Sequence, residues 1–205
     1  MKRLTYSQQA FFTLTRAGLW ADIKVKGSPL AFPESVNWDE VDRLAEEQSV
    51  LGLIAAGIDQ ANEGNVPLDN VLQFVGSALQ IERQNTAMNK FIAKLIEKLR
   101  YSDIYALLLK GQSIAQCYER PLWRAPGDVD LLLSDENYAR ADILLSPMAT
   151  SIDDEITYAK HKALIIDGWT IELHGSLRCG LWNRMDRVLD KIQYDFFAGA
   201  MYVRG

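Results

Sequence analysis

At roughly 150 residues per domain, a chain of 205 residues makes one large domain or two small ones. Hydrophobic residues at 48% and a net charge of only −5 exclude a disordered chain. Two cysteines, Cys117 and Cys179, exclude a disulfide framework, and 27 Asp and Glu against 22 Lys and Arg argue against a general nucleic-acid binder.

The first residues do not read as a secretory signal. Lys2 and Arg3 are followed by Tyr6-Ser7-Gln8-Gln9, which interrupts any apolar core. The expectation is an intracellular, cytoplasmic protein with reduced cysteines. The longest apolar run, Leu51 to Ile58, is far short of the ~20 residues that span a bilayer, so no membrane is expected as a partner.

The first hundred residues read as helical. Asn37 is placed to cap a helix from Trp38, with Glu40 three residues on and Val41, Leu44 and Ala45 on one face. Leu51, Leu53, Ile54 and Ile58 continue the apolar pattern up to a loop at Gly64-Asn65-Val66-Pro67. From about Leu68 to Arg100 a long helix is expected, with Met88, Phe91, Ile92, Leu95, Ile96 and Leu99 at helical spacing. Lys90, Lys94 and Lys98 recur every four residues on it, the pattern of a solvated face.

The period changes at Ser102-Asp103. Ile104 to Leu109 reads as a buried strand ending at Lys110-Gly111. Ile114 to Tyr118 fits a short helix, with Cys117 a small core residue on it. Val129 to Leu133 is a second strand. Ser134 and Asp135 are placed to cap a helix through Leu145. Ala163 to Ile166 and Thr170 to Leu173 flank Asp167-Gly168, a hairpin signal. His161, at the start of that hairpin, reads as structural or exposed. An amphipathic helix follows, marked by Leu181, Met185, Val188, Leu189 and Ile192. Tyr194 to Val203 then reads either as a strand that finishes the sheet or as a segment cut before its natural end. The expected fold class is α+β: a helical region over 1–100 packed on a small mixed sheet with helices over 101–205.

The chemistry concentrates in Leu107-Leu108-Leu109-Lys110-Gly111 and in Arg124-Ala125-Pro126-Gly127-Asp128-Val129-Asp130. Side chains alternate along a strand, so Asp128 and Asp130 share one face while Val129, Leu131 and Leu133 face the core. Two neighbouring carboxylates repel each other, and a divalent cation relieves that repulsion. In Thr170-Ile171-Glu172-Leu173-His174, Thr170, Glu172 and His174 share a face. If this strand lies beside the Asp128 strand, Glu172 is a third carboxylate for Mg2+ or Mn2+, a set suited to two-metal phosphoryl transfer. Acid-x-acid triplets arise by chance roughly three or four times in a chain this acidic, so context must carry the reading.

That constellation resembles the polymerase β-like nucleotidyltransferase superfamily, and more closely its group of uncharacterised bacterial nucleotidyltransferases. The resemblance lies in Lys110-Gly111, Tyr118, Arg124, Asp128-Val129-Asp130 and Glu172-Leu173-His174, and in the leading helices. At the turn this chain has Gly111-Gln112 with Ser113 one place later, where the wider superfamily has Gly-Ser or Gly-Gly. About thirty residues follow the Leu-His strand, where the family continues into a further helical region, so the expected core over 101–205 is short at its C-terminus. The resemblance implies catalysis and metal binding by Asp128, Asp130 and Glu172. It implies nucleotide contacts from Lys110, Gly111, Ser113 and Arg124, and supporting or substrate contacts from His174 and Trp123. The implied substrates are an NTP such as ATP and an unidentified hydroxyl-bearing acceptor. A small molecule or protein fits the acidic charge better than a long nucleic acid.

Context separates Asp-x-Asp here from its use in other protein classes. Sugar-nucleotide glycosyltransferases need a longer α/β region before it. Haloacid-dehalogenase-like phosphatases follow it with Thr or Val, where this chain has Leu132. A nucleotide-binding or regulatory module without turnover remains open on the same fold.

Overall fold

The computed structural model describes residues 3–20, 32–61, 65–157, 160–178, 180 and 182–201. The chain divides into two compact units, Met1–Ala87 with Ile114–Pro126, and Met88–Ser113 with Gly127–Gly205.

The first unit is helical. Its elements are α1 (Tyr6–Leu19), α2 (Trp38–Glu47), α3 (Leu51–Asp59) and the opening half of α4 (Leu68–Tyr101). Thr5 and Gln8 form a capping box on α1, and Asn37 accepts from the Glu40 N–H on α2 as its position suggests. Leu14, Val41, Ala45, Ile54, Phe74 and Ala78 make the core. Asn85, fully buried, donates to the carbonyls of Leu122 and Arg124 and fastens the 114–126 segment to this unit.

The second unit holds the rest of α4, β1 (Ala106–Leu109), β2 (Val129–Leu133), α6 (Asp135–Leu145), β3 (Ser151–Ile152), β4 (His161–Ile166), β5 (Trp169–His174) and α7 (Asn183–Met201). α5 (Gly111–Ala115) spans the division between the units. The strand order is β1-β2-β5-β4-β3, with β2 and β5 parallel and the other pairs antiparallel. This mixed sheet and the helices around it make the α+β class expected from the change of period.

Alternation sorts the sheet into two faces. Val129, Leu131, Leu133, Leu164, Ile166, Ile171 and Leu173 pack with Met88, Ile92, Leu95 and Leu99 of α4 and with Tyr138, Ala141 and Leu145 of α6. Asp130, Glu172, His174 and His161 fall on the opposite face. Ser134 caps α6 by accepting from the Asn137 N–H. Asp167 and Gly168, at φ of 52° and 80°, make the tight turn between β4 and β5. Gln193 of α7 donates to the carbonyls of Leu133 and Gly175, tying that helix to the ends of β2 and β5. Lys90, Lys94 and Lys98 are exposed, a solvated face.

Four local readings are corrected. Ile104 is not in β1. Asp103 takes a left-handed φ of 54°, and the N–H groups of Asp103 and Ile104 bond back to Arg100 and Leu99, closing the end of α4. The short helix starts at Gly111 rather than Ile114, because the turn at Lys110 and Gly111 leads directly into it. It ends at Ala115, so Cys117 sits in a turn and is exposed instead of core. Over Tyr194 to Met201 the chain is helical, not a strand. The spacing of Val188, Ile192 and Phe196 carries the helical period onward, and Ala198 and Ala200 favour it. Cys179, Leu181, and residues 202 and 203 lie outside the described residues. β3 had no signal in the sequence: two residues are too few for a period.

Candidate active site

Asp128 and Asp130 stand at the start of β2, and Glu172 in the middle of β5. The parallel register sets Asp130 beside Glu172, so both project from the same face. One carboxylate oxygen from each of Asp128, Asp130 and Glu172 lies within 4.8 Å of the other two. Asp128 and Glu172 are half-buried, and Asp130 is fully buried.

β1 reaches this group from the other side of β2, with Leu109 opposite Asp130. The chain then turns through Lys110 and Gly111, at φ of 42° and 40°. A Cβ on Gly111 would meet the Asp128 carbonyl oxygen at 3.3 Å, so glycine relieves both the backbone conformation and the crowding. The turn brings Lys110 Nζ to 2.7 Å from Asp130 Oδ1. His174 Nε2 reaches the same oxygen at 2.9 Å. Asp130 Oδ2 is buried with no hydrogen-bond partner among the described residues.

These contacts set the charge state. Burial by itself would raise the Asp130 carboxyl, but the hydrogen bonds from Lys110 and His174 outweigh it and hold the carboxyl below the ordinary aspartate range. The same bond to Asp130 raises Lys110 above the ordinary lysine value, against some desolvation and helped by the charges of Asp130, Asp128 and Glu172. Lys110 and Asp130 therefore stand as an ion pair at the centre of the site.

Ser113 is exposed and its hydroxyl donates to the Lys110 carbonyl at 2.6 Å, bracing the turn. Arg124 and Trp123 belong to the first unit. There Arg124 donates to the Ala125 carbonyl, while Trp123 donates to Glu82 and carries the Arg120 guanidinium 4.3 Å above its ring. Packing within that unit accounts for Trp123.

His161 is the residue the sequence reading missed. It lies opposite His174, with Nε2 3.2 Å from Glu172 Oε2 and the two imidazole rings 4.8 Å apart. A signal existed. With Asp167-Gly168 as a two-residue loop, pairing counts outward from Ile166–Trp169 and arrives at His161–His174.

A mixed sheet bearing clustered carboxylates beside a Lys-Gly turn is compatible with a nucleotidyltransferase fold. The model of a family described as uncharacterised nucleotidyltransferase matches residues 34–192, and the chain belongs to that family. Membership implies an NTP substrate and transferase activity. No curated protein and no solved structure matches the chain. Among the described residues no helix is long and apolar enough to cross a membrane.

Proposed function

We propose that the chain is a metal-dependent nucleotidyltransferase of the polymerase β-like type, moving an NMP from an NTP such as ATP to a hydroxyl on a small molecule or protein. One observation carries this reading: Asp128, Asp130 and Glu172 converge from β2 and β5 on one face, and Asp130 Oδ2 is buried without a partner. A buried oxygen with unused lone pairs costs free energy unless something meets it, and an all-carboxylate donor set suits Mg2+ or Mn2+. Bound there, such an ion neutralises the triphosphate and lowers the pKa of the acceptor hydroxyl.

The chain's own residues supply the rest. Lys110, more than half exposed, is a cation at the mouth of the site able to move from Asp130 to a phosphate oxygen. Gly111 leaves its turn open to close phosphate approach. Ser113 holds the turn, and the part of Arg124 rests on the family resemblance. His174 keeps Asp130 oriented and ionised. In the transfer the acceptor oxygen bonds to the α-phosphorus, the α–β bridge breaks, pyrophosphate leaves, and the acceptor proton passes to a carboxylate or water.

A second reading, a nucleotide-binding or regulatory module without turnover, has its own support: Lys110 already neutralises Asp130. Pyrophosphate release separates the two. Each labelled NTP is incubated with Mg2+ and a cell-extract acceptor pool. Wild type should release pyrophosphate at least about 100-fold faster than Asp128→Ala/Asp130→Ala. Equal release by both proteins removes the site from the reaction. Nucleotide binding with no release by wild type favours the module.

A further inference from the structure

His161, Glu172 and His174 cluster on the β4–β5 side of the carboxylates. We propose that they form a second cation position, for a borderline transition ion such as Zn2+, next to the carboxylate cluster and sharing Glu172 with it. The inference does not depend on nucleotidyl transfer.

The register builds the cluster. β4 and β5 are antiparallel with His161 opposite His174, and Glu172 is two residues earlier on the same face. Ligand atoms of the three lie within 4.8 Å of one another. Glu172 Oε2 is 3.2 Å from His161 Nε2 and 3.4 Å from His174 Nε2. Four ligands at ~2.0–2.1 Å around a tetrahedral zinc stand about 3.3–3.4 Å apart. The two spacings from Glu172 therefore already match tetrahedral edges.

His161 gives an independent reason. Its Nε2 is shut from solvent and makes no hydrogen bond among the described residues, although Glu172 is 3.2 Å away. At that distance the missing bond is a matter of direction: the nitrogen and the carboxylate approach each other off the hydrogen-bonding axis. A buried ring nitrogen left without a hydrogen bond is costly, and a cation between the two groups would use both.

Donor chemistry separates this position from its neighbour. Two imidazoles and a carboxylate favour zinc, cobalt or nickel, whereas an all-oxygen set favours Mg2+ or Mn2+. His174 Nε2 also contacts Asp130 Oδ1 at 2.9 Å. An ion taking that nitrogen would displace its N–H, leaving Lys110 to hold Asp130.

The test titrates the metal-free full chain with Co2+ and then displaces it with Zn2+, following visible absorption. Wild type should bind Co2+ in a four-coordinate form. His161→Ala and His161→Gln should each weaken binding about tenfold or more, while Asp128→Asn should retain it. X-ray absorption on the zinc-loaded wild type, which needs no substitution, should show two imidazole ligands. Cobalt affinity unchanged in both His161 variants, cobalt binding lost in Asp128→Asn, or an all-oxygen zinc shell would each overturn the proposal. Failure of pyrophosphate release alone would leave it standing, because binding is read without turnover.

Discussion

Asp130 keeps its charge although fully buried because two donors converge on one of its oxygens. The same balance operates at Asp142, outside the site. Burial pushes the Asp142 carboxyl up, but the Lys162 ammonium at 2.7 Å and the Ser146 hydroxyl outweigh it and hold it below the ordinary value. A depressed folded pKa contributes stability that is fully present above the unfolded value of about 3.9 and is lost as pH falls through the folded one. Asp142→Asn should therefore cost about 1–2 kcal/mol at neutral pH, the low end for a charged hydrogen bond because both side chains keep some solvent contact. Urea melts should show the gap from wild type closing as pH drops below the ordinary aspartate range. A gap that stays constant down to acid pH would mean that the Lys162 pair contributes nothing.

Between elements, α1 and α3 approach each other closely through two glycines. A Cβ on Gly57 would sit 2.2 Å from the Leu14 carbonyl oxygen, and one on Gly18 would sit 2.0 Å from that of Leu53. Both obstacles are backbone, so neither yields by a rotamer change. Gly57→Ala should destabilise by about 1–3 kcal/mol, the usual cost of overpacking. Gly76, exposed on α4 with nothing within 4 Å of a built Cβ, is the control. Gly76→Ala should stabilise by about 0.5–1 kcal/mol through helix propensity alone. Thermal denaturation of the pair should move in opposite directions; a neutral Gly57→Ala would contradict the close packing.

Across the whole molecule, α4 is the element that serves both cores. Phe74 and Ala78 fill the first, and Met88, Ile92, Leu95 and Leu99 fill the second. Ala87, exposed at the division between the units, is a place to break the helix without touching either core. Ala87→Pro removes one helical hydrogen bond and clashes with the preceding turn, at a cost of about 3 kcal/mol or more. Urea unfolding followed by tryptophan fluorescence and by far-ultraviolet circular dichroism should show a lower midpoint. An unmoved midpoint would mean that the continuity of α4 does not matter to stability.

What the residues settled by themselves was local. The caps at Asn37 and Ser134, the Asp167-Gly168 turn, and the shared face of Asp128 and Asp130 follow from side-chain chemistry within a few positions, and the helices and strands form where they indicate. Where two local preferences compete, the sequence is ambiguous: an apolar run decides neither whether Ile104 enters the strand or closes α4, nor whether Tyr194 to Met201 is strand or helix. The site needed more than locality. Its carboxylates meet because β2 chooses β5 as a parallel partner, 42 positions away in register from Asp130 to Glu172, and periodicity states only which face a residue takes, not which strand lies beside it. The tertiary structure alone made that choice, by burying the apolar face of both strands under α4 and α6. The same packing gathered Lys110, His174 and His161 around the carboxylates left on the other face.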